Sequence, residues 1–543
     1  MAITTPAGSS RRDFIRLTGT LGVAAGLAVS LAACGGKGKT SGGANASGSA
    51  MATDQEVTHK DGVITAGISY ELGTNGYDPM TTSSALTVAA NWHTLEGLTE
   101  LHPATREVYA ALASEMPKKV DDTTYEVALR KDAKFSDGAA VTADDVVFSF
   151  TRVLDPANKS LYSQFLPFID KVEAKDTSTV TIKLKYAFSL VAERLSVVKI
   201  VPKAIVEADA KAFDMSPTGS GPYKMTDNGA ASQKIVFERN DSYNGPRPAL
   251  AKSMTWQVLP DDTTRTNAMS SGSVQAIDAV PAANLSTLKD PVKVAAQQGF
   301  GLLFAMFNNT TFSNVKARQA VLYALDYAKI CDTSMAGLAT PATCFVQEGH
   351  PAYKKAKTVY SMDAAKAKSL LAEAGVTAIN LLCTDHGWFS AVRPVIRENL
   401  EALGVTVSYD EKKSADTYSF IDSAQGAWDV LIAPGDPSVF GNDADLLMRW
   451  WYGGDVWTET RMHWKGSESQ VAIQALLDEA VKLEGDKQIA KWQEIFDKLS
   501  EDVPLYPIFH RKTPTAYDSK TLENFKPISL TGLSFVGTGS SKS

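Results

Sequence analysis

Cysteine is scarce in this 543-residue sequence, with only Cys34, Cys331, Cys344 and Cys383. None of them combines with the seven histidines at a metal-ligand spacing, so a zinc-type site has no basis in the sequence. Gly-x-Ser-x-Gly, His-Glu-x-x-His and any recognisable Cys–His arrangement are missing too, which leaves a hydrolase without a signature. Gly219-Ser220-Gly221 is not followed by Lys-Ser/Thr and does not make a phosphate loop. An excess of positive charge is also lacking. The formal net charge is −7, and an acidic surface argues against nucleic acid and against electrostatic capture by anionic lipid. Finally, there is no strongly apolar run of the roughly 20 residues that a membrane-spanning helix needs.

What the chain does have is an export signal. Ser10-Arg11-Arg12-Asp13-Phe14-Ile15-Arg16 precedes an uncharged segment from Leu17 to Ala33, rich in Gly, Ala and Ser, which ends Leu31-Ala32-Ala33-Cys34. A basic start, an apolar middle and small residues before a cut site form a signal rather than a fold element. The paired arginines resemble a twin-arginine signal. Leu-Ala-Ala-Cys resembles a lipobox, which implies diacylglycerol on Cys34 and a new chain start there. An uncleaved anchor helix is the alternative. Losing the signal removes three arginines and one aspartate, so the exported part is near −9. Membrane attachment is therefore expected through lipid on Cys34. From Gly35 to about Lys60 the sequence is Gly-, Ser-, Ala- and Lys-rich, a flexible tether spanning about 30 Å.

Beyond it, Val63–Ile68 reads as a first strand, followed by a loop from Tyr70 to Pro79. A helix is expected over Ser84–Glu96. Tyr125–Leu129 alternates as a strand does, Asp137-Gly138 signals a turn, and Thr142 with Asp145 reads as a capping box for the next helix. In the second half, strands are expected at Gly301–Asn309, Ile379–Cys383, Val405–Tyr409 and Trp428–Ile432. Helices alternate with them at Asp363–Ala374 and Ala391–Leu403. That alternation indicates an α/β lobe with a largely parallel sheet. Two amphipathic helices follow, and Pro504–Phe509 reads as a strand returning to the first lobe.

Five blocks, in order, carry a family resemblance. They are the Tyr125–Phe150 block, Gly219-Ser220-Gly221-Pro222-Tyr223, Asn240–Pro248, Ser271–Asp278 (with Gln275 where an acid is usual) and Val315–Asp326. Together they resemble the family 5 extracellular solute-binding proteins, the dipeptide- and oligopeptide-binding components of ABC importers. The resemblance implies an α/β fold of two lobes, periplasmic-binding-protein-like, class II and of the three-domain peptide-binding type, with a hinge and an interlobe cleft. The implied layout is a signal at 1–34, a linker at 35–60, domain I at 61–85, 215–294 and 512–543, domain II at 86–214, and domain III at 295–511.

Ligand contacts are expected where strands of an open α/β sheet end. This singles out Tyr70, Glu71, Thr74 and Asn75 after the first strand, Phe307 and Asn308 at the end of another, and Trp388. Trp450, Trp451 and Tyr452 either line an aromatic pocket or pack the core. In the peptide-binding relatives an aspartate pairs with the ligand's α-amino group. Here the matching tryptophan motif is absent, and Asp436 either inherits the role or serves an ordinary Asp-Pro turn. Cys331 and Cys344 are free to pair or not. The expected protein is a monomeric, non-catalytic receptor without cofactor or metal. It delivers short peptides to an ABC permease, or alternatively a metal chelate, an opine or a sugar derivative. A sensory module on the same fold is a further alternative.

Overall fold

A computed structural model describes residues 56–70, 76–423 and 428–543. The signal, Cys34 and most of the tether lie outside these residues. So do Glu71, Thr74 and Asn75. The described chain forms one compact unit.

Its backbone is an eleven-stranded sheet. At one end Val63–Ile68 pairs in parallel with Ser253–Val258 and with Ala276–Ile277, and Lys234–Arg239 and Tyr223–Asn228 extend the sheet antiparallel. At the other end Ala378–Thr384 lies parallel between Thr406–Lys412 and Val430–Gly435. Two long antiparallel strands, Val292–Phe307 and Leu505–Asp518, join the ends. The expectation of a largely parallel second lobe is therefore corrected: its sheet is mixed, because both joining strands run antiparallel to their neighbours. The joining pair breaks register between Gln298 and Leu302. An irregular ladder twists and bends more easily than a regular one, so this is the natural hinge.

Local sequence explains the elements. Leu302–Phe307 is fully buried, which suits an apolar strand covered on both faces. The helix Ala364–Ala374 begins where the Asp363 carboxylate accepts the Lys366 N–H at 2.9 Å, and it ends at Gly375 with φ +71°. The helix Ala143–Leu154 begins where Asp145 accepts the Thr142 N–H at 2.9 Å. That helix packs on a separate four-stranded antiparallel sheet containing Thr124–Ala128 and Thr179–Leu184. Gly219 and Gly221 lie against the end of the helix Ala85–Thr94. A Cβ at Gly219 would come within 2.0 Å of the Thr94 carbonyl oxygen. Beside two small clusters, two large apolar cores result. One belongs to the first lobe, around Ile64, Phe237, Trp256 and Phe535. The other runs without a break from the four-stranded sheet into the second lobe. Its bridge is aromatic: Phe165 stacks on Trp450 at 6.0 Å, with Phe440 against both.

Candidate functional site

The first strand delivers Ser69 and Tyr70, the strand Ala378–Thr384 delivers His386 and Trp388, and Val430–Gly435 delivers Asp436. The structure brings Tyr70, Trp388 and Asp436 together around one residue that the sequence did not single out, Arg511. Its guanidinium donates to the Tyr70 hydroxyl at 3.1 Å and to Thr531 Oγ1 at 2.7 Å, and it lies 4.5 Å from the Trp388 ring centre. Tyr70 meets His386 edge-on at 6.4 Å. Gly301, in the hinge, lies against both: a Cβ there would be in ordinary contact with Arg511 Nε at 3.4 Å and Asp436 Cγ at 3.5 Å. Burial and the nearby Arg511 and Arg393 push His386 down to about 4, so its ring is neutral at physiological pH.

Asp436 is already engaged. Its Oδ2 accepts both the Thr531 N–H and the Thr531 hydroxyl, each at 2.9 Å, and its Oδ1 accepts the Ser438 hydroxyl. Below it, buried Asp278 accepts the Ser69 N–H at 2.7 Å and the Ser69 hydroxyl at 2.8 Å. Desolvation raises the Asp278 carboxyl, with Arg265 and the Ser69 bonds pulling against it.

Beside this cluster lies a cavity of about 80 Å³, walled by Trp92, Tyr109, Tyr243, Val536 and, from the second lobe, Val439 and Phe440. Its two carboxylates are neutralised in place. Glu96 takes Arg130 at 3.1 Å and the Tyr243 hydroxyl at 3.0 Å, while Glu100 takes Lys199 at 2.5 Å and the Gly97 N–H at 2.6 Å. Burial pushes the Glu96 carboxyl up against the pull of Arg130. Arg130 and Tyr243, both from the motif blocks, thus serve to hold Glu96. Arg106 lines the cavity and donates to the Ser438 carbonyl at 2.5 Å. It sits in a turn at φ +63°, an uncommon conformation for a residue with a Cβ.

Four expected contacts stand elsewhere. Phe307 is wholly buried and stacks on Phe312, and Asn308 is wholly buried with its amide on the Trp428 carbonyl, because their strand runs on into the core rather than ending at the cleft. Trp451 and Tyr452 are also wholly buried. They lie in the helix Ala444–Tyr452, where Trp451 packs on Gly435 and Phe300 and Tyr452 donates to the Leu505 carbonyl. Trp450 is the exception in part, since it backs the cavity wall through Phe440 at 5.1 Å. No sequence signal marked Arg511, Thr531 or Arg106. Each matters through a partner distant in the chain, from 95 residues for Thr531 and Asp436 to 441 for Arg511 and Tyr70.

Cys331, Cys344 and Cys383 are free and buried, so the possible Cys331–Cys344 bridge is not made. Burial raises their thiols to about 12, 11 and 12. Among the described residues no cluster of three or more metal-ligating side chains occurs, and no helix is long and apolar enough to cross a membrane.

Comparison places this geometry among known proteins. Residues 107–472 match the family model for bacterial extracellular solute-binding proteins, family 5. The glutathione-binding protein GsiB of Escherichia coli (strain K12) is 25% identical over 488 residues, covering 88% of this chain and 94% of the relative. The oligopeptide-binding protein AppA of Bacillus subtilis (strain 168) is 25% identical over 457 residues, covering 77% and 81%. Among solved structures, the PBP AgaA in complex with agropinic acid, from A.tumefacien R10, superposes with a TM-score of 0.79 at 25% identity, covering 89% of this chain and 99% of that one.

Proposed function

The chain belongs to the bacterial extracellular solute-binding proteins, family 5, and from that premise we propose that it is the lipid-anchored receptor of an ABC importer for short peptides or related small organic solutes. Members of the family act outside the cytoplasm as the binding components of these importers, and the relatives are binding proteins rather than enzymes. The observation that carries the reading is the meeting of Tyr70, Trp388 and Asp436, at strand ends from both lobes, with Arg511 of a joining strand, next to the hinge. A solute held there touches both lobes at once and so favours the closed state.

The proposal extends to the parts around the site. Cys34 carries lipid, and the tether from Gly35 to Lys60 lets a monomeric body reach the permease. The proposal keeps the three-domain layout expected from the sequence, with domain III ending near residue 511. The protein transforms nothing that it holds. GsiB and AppA are named for glutathione and oligopeptides, which supports a peptide solute. One observation favours the second reading, a non-peptide acid: Asp436 is committed to Thr531, and AgaA, of the same fold, holds agropinic acid. A thermal-shift screen of the purified protein against dipeptides to pentapeptides and against opines, sugars and metal chelates tests both. A selective rise with peptides supports the leading reading, and silence across peptides with a response to another class moves the assignment to that class.

A further inference from the structure

The cavity between the lobes contains an imbalance in how its charges are used. Glu96 and Glu100 each have a cation and a second donor of their own, Arg130 with Tyr243 and Lys199 with the Gly97 N–H. Asp436 is engaged differently. One of its oxygens accepts two donors from Thr531, and the other accepts Ser438. Thr531 is anchored in turn. Arg511 donates to its hydroxyl, and its neighbour Ser529 is packed so closely on the hinge that a Cβ at Gly299 would lie 2.2 Å from the Ser529 carbonyl oxygen. The C-terminal segment around Thr531 is therefore a strap across the hinge, and Asp436 is where the second lobe fastens to it. An ammonium group arriving at Asp436 meets a carboxylate with three of its about four acceptor sites already taken, which reduces the gain from the new ion pair.

Arg106 is in the opposite condition. Glu100 and Asp436 attract it electrostatically, but both carboxylates are bonded to other donors, and Arg106 makes no close ion pair among the described residues. Its Nη2 meets only a backbone carbonyl, Ser438, and its Nε–H is enclosed without an acceptor. From a turn at positive φ, its side chain lines the same cavity as Phe440. A guanidinium is rarely left so under-used in a buried setting, and the group that fits its planar fork is a carboxylate.

Resting on the reading of this cleft as a solute site, we propose that the protein recognises its solute through a carboxylate taken by Arg106, with the strap-bound Asp436 closing the lobes and not selecting a free amino group. Arg106 is then the specificity-determining residue for an organic anion, and either a peptide C-terminus or a non-peptide acid satisfies it.

The test is calorimetric titration of the purified full chain with Ala-Phe, its N-acetyl form, its C-terminal amide and the doubly blocked form. The expected result is that N-acetylation changes affinity less than about threefold, whereas amidation weakens it at least tenfold. Arg106→Gln should erase the difference between acid and amide, while Arg106→Lys keeps part of it. Asp436→Asn should weaken free and acetylated forms alike. Binding lost on acetylation and kept on amidation overturns the proposal, as does an unaltered acid preference in Arg106→Gln with a native melting temperature. If no member binds, the same pair of variants is titrated with the solute class found in the thermal screen. A neutral or cationic solute that still drives closure overturns the proposal and leaves the transport role standing. A screen with no responding solute of any class overturns both.

Discussion

Arg194, fully buried, closes on Asp443 at 2.5 Å through one nitrogen and at 3.0 Å through another, and reaches Asp445 at 2.8 Å. The two aspartates belong to the start of the helix Ala444–Tyr452, where Asp443 also caps the Leu446 N–H at 2.9 Å. Arg449 completes the set by holding Asp445 at 2.9 Å and Asp478 at 3.1 Å. The expected domain II thereby fastens to the second lobe, beside the aromatic bridge of Phe165, Phe440 and Trp450. Removing one partner leaves a buried charge without its counter-ion. Arg194→Leu should cost about 3–5 kcal/mol in chemical denaturation. A loss under about 1 kcal/mol would show that the pair is not enclosed in solution.

Acid should weaken the C-terminal strap through His93. Its Nε2 accepts the Phe535 N–H at 2.9 Å, and its Nδ1 donates to the Ala89 carbonyl at 2.8 Å. The Phe535 bond requires the neutral ring, whereas the Ala89 bond survives protonation and pulls the other way; burial outweighs it and lowers the pKa from 6.5 to about 4. The unfolded chain binds this proton below 6.5 and the folded chain binds it only near 4. Stability is therefore complete above 6.5 and falls toward 4, at up to about 1.4 kcal/mol per pH unit. His93→Gln should flatten that slope in a denaturation series from pH 7 to 4. An unchanged slope would remove His93 from the account.

Two glycine replacements separate close approach from backbone strain. Gly219→Ala drives a methyl into the Thr94 carbonyl, which as backbone cannot yield, so the loss should exceed about 2 kcal/mol. Gly272→Ala meets nothing within 4 Å but sits at φ +73°, so only the left-handed backbone is charged, about 1–2 kcal/mol. Equal melting temperatures for the two variants would contradict this difference.

The three buried thiols should be silent to a thiol reagent in the folded protein and all titrate after denaturation without reductant. Recovery of only one thiol under those conditions would mean that two are bridged.

Much of the fold was readable because its signals are local. Asp363 with Gly375 bounds a helix, an unbroken apolar run makes Leu302–Phe307 a buried strand, a strand end pointed to Tyr70, and the family resemblance pointed to Asp436. The aromatic run Trp450-Trp451-Tyr452 could not be resolved from sequence, because a core helix and a pocket wall use the same side chains. Only the packing partner decides: Phe440 for Trp450, Gly435 for Trp451. Phe307 and Asn308 were misplaced because a strand's end can be judged from sequence, whereas the lobe face on which it ends cannot. Arg511, Thr531 and Arg106 were invisible for a related reason. Their roles arise from contacts with Tyr70, Asp436 and Ser438 across a sheet whose strands lie far apart in the chain.

The central claim is a hinged clamp closed by what it captures. Small-angle X-ray scattering on protein freed of solute by unfolding and refolding, then titrated with a solute from the thermal screen, tests it most directly. The account predicts a larger radius of gyration without solute, a decrease that saturates at one solute per chain, and recovery of the solute chemically unchanged. An invariant radius at saturation, or a converted product in the filtrate, would contradict it.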